Sequence, residues 1–449
     1  MESKFAKDSY WMKSGIYTLL QRVSELIFGF GSFWMIIRIL GKEDFGVWVL
    51  LLSVLALSEV ARLGFVQNAQ IKFASGSDEE TQAKILKASF FLNFAVTLIT
   101  VIILAAIAHL LSEFWSAPKL QYLIYMYCIG AMVFMPYLQF LVLMQVKLNF
   151  RGIFFANFVR LSLFFTAVLF HFITGTSVTL YQLLLYQIIA TTISTVTGFF
   201  QVRKVFIMSE KLDYEWVKKL FHFGKYVFGT NLNSMLYGNV DQIMIGALLG
   251  TPSVATYNAA SRINNFVEVP LSSISTIVFP KTAERIKTEG IAAVRYLYER
   301  SVGLMLAFII PMTLFCLIFP KFVITIIAGN QYADSIPILQ IIILLSILRP
   351  YNRQSGVFLD AMGKPRVNFI TVVISLIINV ISNFIFIHFF GLIGAAYGSL
   401  VAMLFAITIT HVILIKDLQI KPWHSFIYAV RFYKEGFQHG LDIINKRRK

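Results

Sequence analysis

Long apolar runs recur along almost the whole chain, and they constrain its fold more than any other feature. A helix needs about 20 mostly apolar residues, rising 1.5 Å each, to cross a hydrocarbon core. Such runs fall near 15–38, 45–66, 88–111, 121–146, 153–174, 180–202, 226–249, 256–279, 302–328, 336–359, 367–390 and 392–415. No water reaches the backbone inside a bilayer, so each run must satisfy its own amides as a helix. The expected fold class is therefore an all-α polytopic membrane protein of about 12 transmembrane helices. Composition agrees with this. Of the 449 residues 57% are hydrophobic and only 14% charged, whereas soluble chains carry roughly 25% charged residues.

Loop charge provides a separate test, because Lys and Arg concentrate in cytoplasmic loops. With the N-terminus inside, Arg38, Lys42, Lys119 and Lys321 fall outside, and Arg22 and Arg262 fall within spans. The remaining Lys and Arg are counted on the inner side, including Arg349 and Arg353 toward the inner end of the tenth run and Lys364 and Arg366 after it. Both termini are thus expected to be cytoplasmic. The net charge of +16 reads as topology and as contact with anionic membrane lipids, so nucleic acid is not an expected partner. The opening MESKFAKDSYWMK has no small-residue cleavage pattern, and the first run is expected to be its own insertion signal. Cys128 and Cys316 both sit in apolar stretches, which points to neither a disulfide framework nor a thiolate metal site.

The chain also resembles itself. Sliding it by 209 residues, from 15 to 224, aligns Gly15/Gly224, Tyr17/Tyr226, Gly29/Gly238, Met35/Met244, Ile36/Ile245, Leu40/Leu249, Gly41/Gly250, Glu59/Glu268 and Val60/Val269. The first two runs fall over the seventh and eighth. Six spans per repeat is an even number, so the halves enter the membrane in the same direction, as two six-helix lobes related by a parallel pseudo-twofold repeat. Transporters built this way place the substrate path between the halves. The expected domains are an N-terminal lobe over 1–205, a cytoplasmic linker helix over 206–225, a C-terminal lobe over 226–416 and a basic amphipathic tail over 417–449. That tail ends in KRRK and is expected to lie on the membrane surface.

Four segments carry a family resemblance. NVDQIMIGALLG (239–250), followed by Tyr257, Asn258, Ala259 and Ala260, is similar to the seventh-to-eighth span junction of polysaccharide and O-antigen flippases. RILGKEDFGVW (38–48) resembles their first-to-second junction, FLDAMGKPRVNF (358–369) their tenth-to-eleventh turn and FGLIGAAYGSLVA (390–402) their eleventh-to-twelfth turn. The resemblance extends to the superfamily that includes lipid-linked precursor flippases and drug/cation antiporters. It implies two lobes that open alternately to either side, and a polyprenyl-pyrophosphate-linked oligosaccharide as substrate for surface polysaccharide biosynthesis. Polysaccharide polymerase or glycosyltransferases would be its partners.

Ionisable groups inside spans are costly, so each is a functional candidate. Arg22 and Glu25 share a helix face in the first run and can pair locally. Arg262 is the counterpart in the eighth. Cavity arginines on the first and eighth helices are a feature of related precursor flippases, which makes Arg22, Glu25 and Arg262 the candidate substrate-binding residues. A guanidinium remains charged and its fork matches phosphate oxygens. Asp241 has no basic residue within four positions, and with Glu268 and Glu59 it is a candidate for H+ or Na+ coupling; Arg62 is a local partner for Glu59. His109, His171 and His388 fall at helix ends without metal-ligand spacing. No cofactor is expected. The pairs Gly246/Gly250 and Gly394/Gly398 have the spacing of close helix contacts.

Two other classes compete. A polymerase or glycosyltransferase would need extramembrane loops bearing paired carboxylates, and the expected outer loops are short. No GxxxxGK[ST] phosphate loop is present, so direct ATP drive is not expected. A cation-coupled multidrug antiporter is the closer alternative, but the arginines favour an anionic substrate.

Overall fold

The computed structural model describes residues 15–447, and all of its regular structure is helical. The chain divides into two compact units. One runs up to Met235 and takes in Gly250–Ala255; the other comprises Leu236–Leu249 and everything from Thr256 onward.

In the first unit, neither of the first two runs is a uniform helix. Residues 15–24 (α1) pass into a π-helical segment, Glu25–Phe30, and then into α2 (Gly31–Ile39). α3 (Lys42–Arg62) likewise widens into a π segment, Leu63–Gln67, before α4 (Asn68–Ala74). Such widenings are rare and favour functional positions. Both stand directly beside an Arg–Glu pair.

Four long helices follow: α5 (Glu79–Phe114), α6 (Pro118–Val146), α7 (Phe150–Thr174) and α8 (Leu180–Val202). α6 starts on Pro118, and the other three start on polar side chains that take up free amides. Asp78 accepts from the Thr81 amide, Asn149 from Gly152, and Thr179 forms a capping box with Gln182. α7 stops at Gly175, whose φ of +66° suits glycine.

The opening part of α9 (Tyr214–Leu249) belongs to this unit. Leu220 is fully buried, and Phe65 stacks on Phe221 and Phe228 with ring centroids 5.3 and 4.6 Å apart. Gly64 and Gly224 face the backbones of Phe228 and Phe65, leaving no room for a side chain. Over the expected linker 206–225, the helix begins at Tyr214 and continues unbroken to Leu249.

The later runs contain more breaks than hydropathy suggested. The expected eighth span, 256–279, is divided where α10 (Thr251–Ser261) hands over to α11 (Ile263–Thr288) at Arg262. The expected ninth, 302–328, becomes α12 (Ile291–Ile318) and α13 (Pro320–Ile327), because Pro320 cannot donate to a continuing helix. In the tenth, a short 3₁₀ turn (Asn330–Ser335) leads into α14 (Ile336–Leu345), and α15 (Arg349–Ala361) follows at a bend of 43°. Arg349 and Arg353, counted above with the inner side, lie on α15 beyond this bend. Among the described residues eight helices are long and apolar enough to cross a membrane, or nine if the bent pair is one span. The remaining runs are interrupted by π segments, breaks or polar residues and do not meet that criterion.

α16 (Pro365–Phe390) and α17 (Leu392–Leu418) form a tight hairpin on Gly391, at φ +59°. Gly394 and Gly398 lie against Phe386 and Asn383, where a Cβ would collide. Here the small-residue spacing does serve close packing.

The tail helix has a protein partner. α18 (His424–Arg447) docks on α12. Buried Glu299 accepts from the Lys421 amide at 2.8 Å and pairs with His424 Nδ1 at 3.2 Å. Gly303 faces Ser425 and Tyr428, Arg300 lies over the Phe432 ring, and the Tyr433 hydroxyl donates to the Ala307 carbonyl. The contacts advance together along both helices, so the two run parallel. One side of the amphipathic helix, with Ser425 and Ala429, meets α12, while Trp423, Ile427 and Val430 remain exposed.

Candidate functional site

Asp241 sits two turns before the end of α9, in the second unit. Three side chains from three other helices donate to its carboxylate. Tyr257 Oη on α10 and Ser399 Oγ on α17 both lie 2.7 Å from Oδ2, and Asn383 Nδ2 on α16 lies 2.7 Å from Oδ1. Asn383 also donates to Asn379 Oδ1 at 2.7 Å, one turn earlier. Tyr257, Asn379 and Asn383 are buried.

Local packing explains this convergence. Asn379 and Asn383 stand four apart and share a face of α16. Gly398 brings α17 close enough to nest against Asn383, and Ser399, the next residue, reaches Asp241. The acid is held by neutral donors, and such hydrogen bonds to an ionised group are the stronger kind.

A guanidinium lies nearby. Arg349, half-buried at the start of α15, is close enough to act electrostatically on Glu268, Tyr257, Tyr237 and Asp241. Its Nε is buried and has no hydrogen-bond partner, and neither has Asn383 Oδ1. The site thus offers carboxylate, amide and hydroxyl oxygens, a hard set suited to a proton or a small hard cation rather than a soft metal. Among the described residues no group of three His, Cys, Asp or Glu forms a metal site.

The other sequence candidates lie in pairs. Arg22 Nη1 donates to Glu25 Oε2 at 3.0 Å, and Gln21 donates to the other oxygen; the Arg22 side chain is 74% exposed. Arg62 bonds Glu59 at 2.8 Å but is itself only 4% exposed. Arg262 Nε donates to Asn258 Oδ1 at 3.2 Å, at the break between α10 and α11. Glu268 has no basic neighbour in sequence, yet Arg353 of α15 approaches it at 3.5 Å. His171 is buried between Thr176 and Tyr186. His109 lies near Glu113 at 3.2 Å, and His388 packs on Phe389.

Sequence reasoning passed over Asn379, Asn383, Ser399 and Arg349. A signal existed for two of them, since paired amides four residues apart in an apolar span need partners. It also missed His411, buried on α17 with Nε2 3.1 Å from the Tyr298 hydroxyl.

A family model described as "Polysaccharide biosynthesis protein" matches residues 35–337, well over half the chain. The lipopolysaccharide biosynthesis protein WzxC of Escherichia coli is 22% identical over 90% of this chain and 81% of its own. The probable low-salt glycan biosynthesis flippase Agl15 of Haloferax volcanii is 23% identical over 51% of this chain and 48% of its own. An uncharacterized membrane protein of Methanocaldococcus jannaschii is 26% identical over 53% and 49%. The chain thus spans about half the length of these last two relatives. Among solved structures, the lipid II flippase MurJ in an inward closed conformation superposes with a TM-score of 0.75, at 15% identity, over 92% of this chain and 90% of that one. An inward-facing multidrug resistance MATE family transporter of the MOP superfamily gives 0.73 at 14% identity, over 90% and 95%. At such identities these two establish the shared fold alone.

Proposed function

Because the chain belongs to the polysaccharide biosynthesis protein family, we propose that it is a flippase for a polyprenyl-pyrophosphate-linked oligosaccharide. It moves this lipid from the inner to the outer leaflet of the cytoplasmic membrane, with both termini inside. Its two six-helix lobes, over 1–205 and 226–416, alternate access between the sides, and its role is transport rather than catalysis. A polymerase and glycosyltransferases would act on the same lipid.

The observation that carries a driven mechanism is Asp241 itself, a carboxylate within an apolar bundle that receives three neutral hydrogen bonds. A charge so placed costs several kcal/mol, a cost that binding and release of H+ or Na+ can put to use. A proton would add to the Asp241 carboxylate, whereas Na+ would be held by the oxygens of Asp241, Asn383 and Ser399; either would weaken the hold of α16 and α17 on α9. Glu268 and Glu59 are subsidiary coupling groups, each tied to an arginine. Arg22, with Glu25 setting its orientation, and Arg262 supply positive charge for the pyrophosphate.

The fold shared with a multidrug transporter keeps export of cationic compounds as a second reading. Leaflet accessibility decides between the two. Proteoliposomes holding the purified protein and a labelled polyprenyl-pyrophosphate oligosaccharide should bring the glycan within reach of an external lectin faster than empty vesicles do. Efflux of a cationic dye with no change in glycan exposure would select the antiporter.

A further inference from the structure

The first unit holds a second polar system, unrelated to Asp241, and it is divided by a gap. On one side, buried Arg62 directs Nη2 to Glu59 Oε1 at 2.8 Å and to the Tyr127 hydroxyl at 3.1 Å, which lies 2.5 Å from Ser58 Oγ. Its Nη1 is buried and has no partner. On the other side, Asn93 Nδ2 donates to Gln139 Oε1 at 3.0 Å. Gln139 Nε2 donates to Gln70 Oε1 at 2.7 Å and to Ser89 Oγ at 2.8 Å. Asn93 Oδ1 is also buried without a partner.

Arg62, Asn93 and Gln139 line one cleft, together with Leu63, Val66 and Val142. Its empty space is about 230 Å³ including the open mouth, and its interior has room for about one water. The residues that carry an unmatched donor and an unmatched acceptor thus line a single water-sized space, beside the π segment that starts at Leu63. Leaving a buried polar group unpaired is costly, and more so when it is charged.

We propose that this cleft binds one water molecule, which accepts from Arg62 Nη1 and donates to Asn93 Oδ1. The water joins both halves into one relay from half-exposed Glu59 to buried Gln70 and Ser89, and so ties α3 to α5, α6 and α4. It also changes what Arg62 tolerates. A buried guanidinium deprived of its carboxylate is strongly destabilising when nothing else solvates it. With the water and Tyr127 in place, Arg62 keeps partners while Glu59 is neutral or engaged elsewhere. Arg62 and Asn93 are positioning residues in this scheme.

The test begins with the full-length protein in lipid nanodiscs, imaged at water-resolving resolution. The expected result is a density peak within about 3 Å of both Arg62 Nη1 and Asn93 Oδ1, lost in Asn93→Leu. An empty cleft overturns the proposal. So does a bromide anomalous signal from crystals grown in bromide, because reversing every amide from Asn93 to Gln70 would turn a donor into the cleft and suit an anion. Unfolding temperatures provide a second arm through Glu59→Gln, Asn93→Leu and the double variant. The double variant should lose more than the sum of the single losses. Additive losses would show that Glu59 and Asn93 do not share Arg62 through the water. Where Asn93→Leu does not fold, wild-type density and the same cycle with Asn93→Ala decide the matter.

Discussion

Asn383 Nδ2 stands 2.7 Å from Asp241 Oδ1, which joins α16 to α9 across 142 residues of sequence. Asn383 is fully buried, and its second contact holds Asn379. The amide therefore serves both as a fastener between helices and as part of the carboxylate's solvation. Replacing it with leucine removes a hydrogen bond to a charged acceptor, worth about 1.5–3 kcal/mol. Asn383→Leu should lower unfolding stability by about 2 kcal/mol, read by thermal unfolding in detergent, and Asp241→Asn should recover part of the loss.

Gly398 is a geometric condition for that contact. A Cβ there would meet the Asn383 side chain and backbone, and overpacking a tight contact costs about 1–3 kcal/mol. Gly398→Ala should destabilise the α16–α17 hairpin by about that much and impair transport together with stability. Glycine at the neighbouring position, Ser399→Gly, should impair transport with a smaller effect on unfolding.

The tail offers a packing prediction. A Cβ on Gly303 would stand only 2.7 Å from the Ser425 carbonyl oxygen and 2.6 Å from Tyr428 Cβ, and Glu299 clamps the start of α18. Gly303→Leu should undock α18, seen as faster limited proteolysis after residue 421 in intact vesicles. Glu299→Gln should produce a weaker form of the same effect, since an amide oxygen still accepts from the Lys421 N–H.

A pH effect is expected at the start of α5. The Thr81 amide hydrogen bond holds the Asp78 carboxyl below its ordinary value. A depressed folded value contributes stability that is present above the unfolded carboxylate pKa, near 3.9, and is lost as pH falls through the lower folded value. Hydrogen exchange at Thr81 should therefore stay slow at neutral pH and gain relative to the middle of α5 only under strong acid. Asp78→Ala should show the fast behaviour at every pH.

Most of the helical architecture was legible because hydropathy and loop charge report directly on where a chain can cross a bilayer. The breaks were not. A π segment such as Glu25–Phe30 changes neither composition nor period enough to register, and the stop at Phe319 could be read only from Pro320. Within the site, Asp241 stood out because a lone acid in an apolar run has no local explanation. Its partners did not stand out, because Asn383 and Ser399 are uncharged and lie far away in sequence. Arg349 was hidden by the same loop-charge rule that ordered the spans, which counts a cation without knowing that its helix bends. The docking of the tail on α12 was not legible either. An amphipathic period shows that one face is covered, and the covering groove on α12 depends on one glycine, Gly303.

The most direct measurement is glycan-lipid exposure in proteoliposomes under imposed H+ and Na+ gradients, comparing wild type with Asp241→Asn at equal insertion. Flux in the wild type should rise with one gradient, and that response should vanish in Asp241→Asn while any slow ungraded exposure persists. Wild-type flux indifferent to both gradients, or an Asp241→Asn response equal to wild type, would contradict the account.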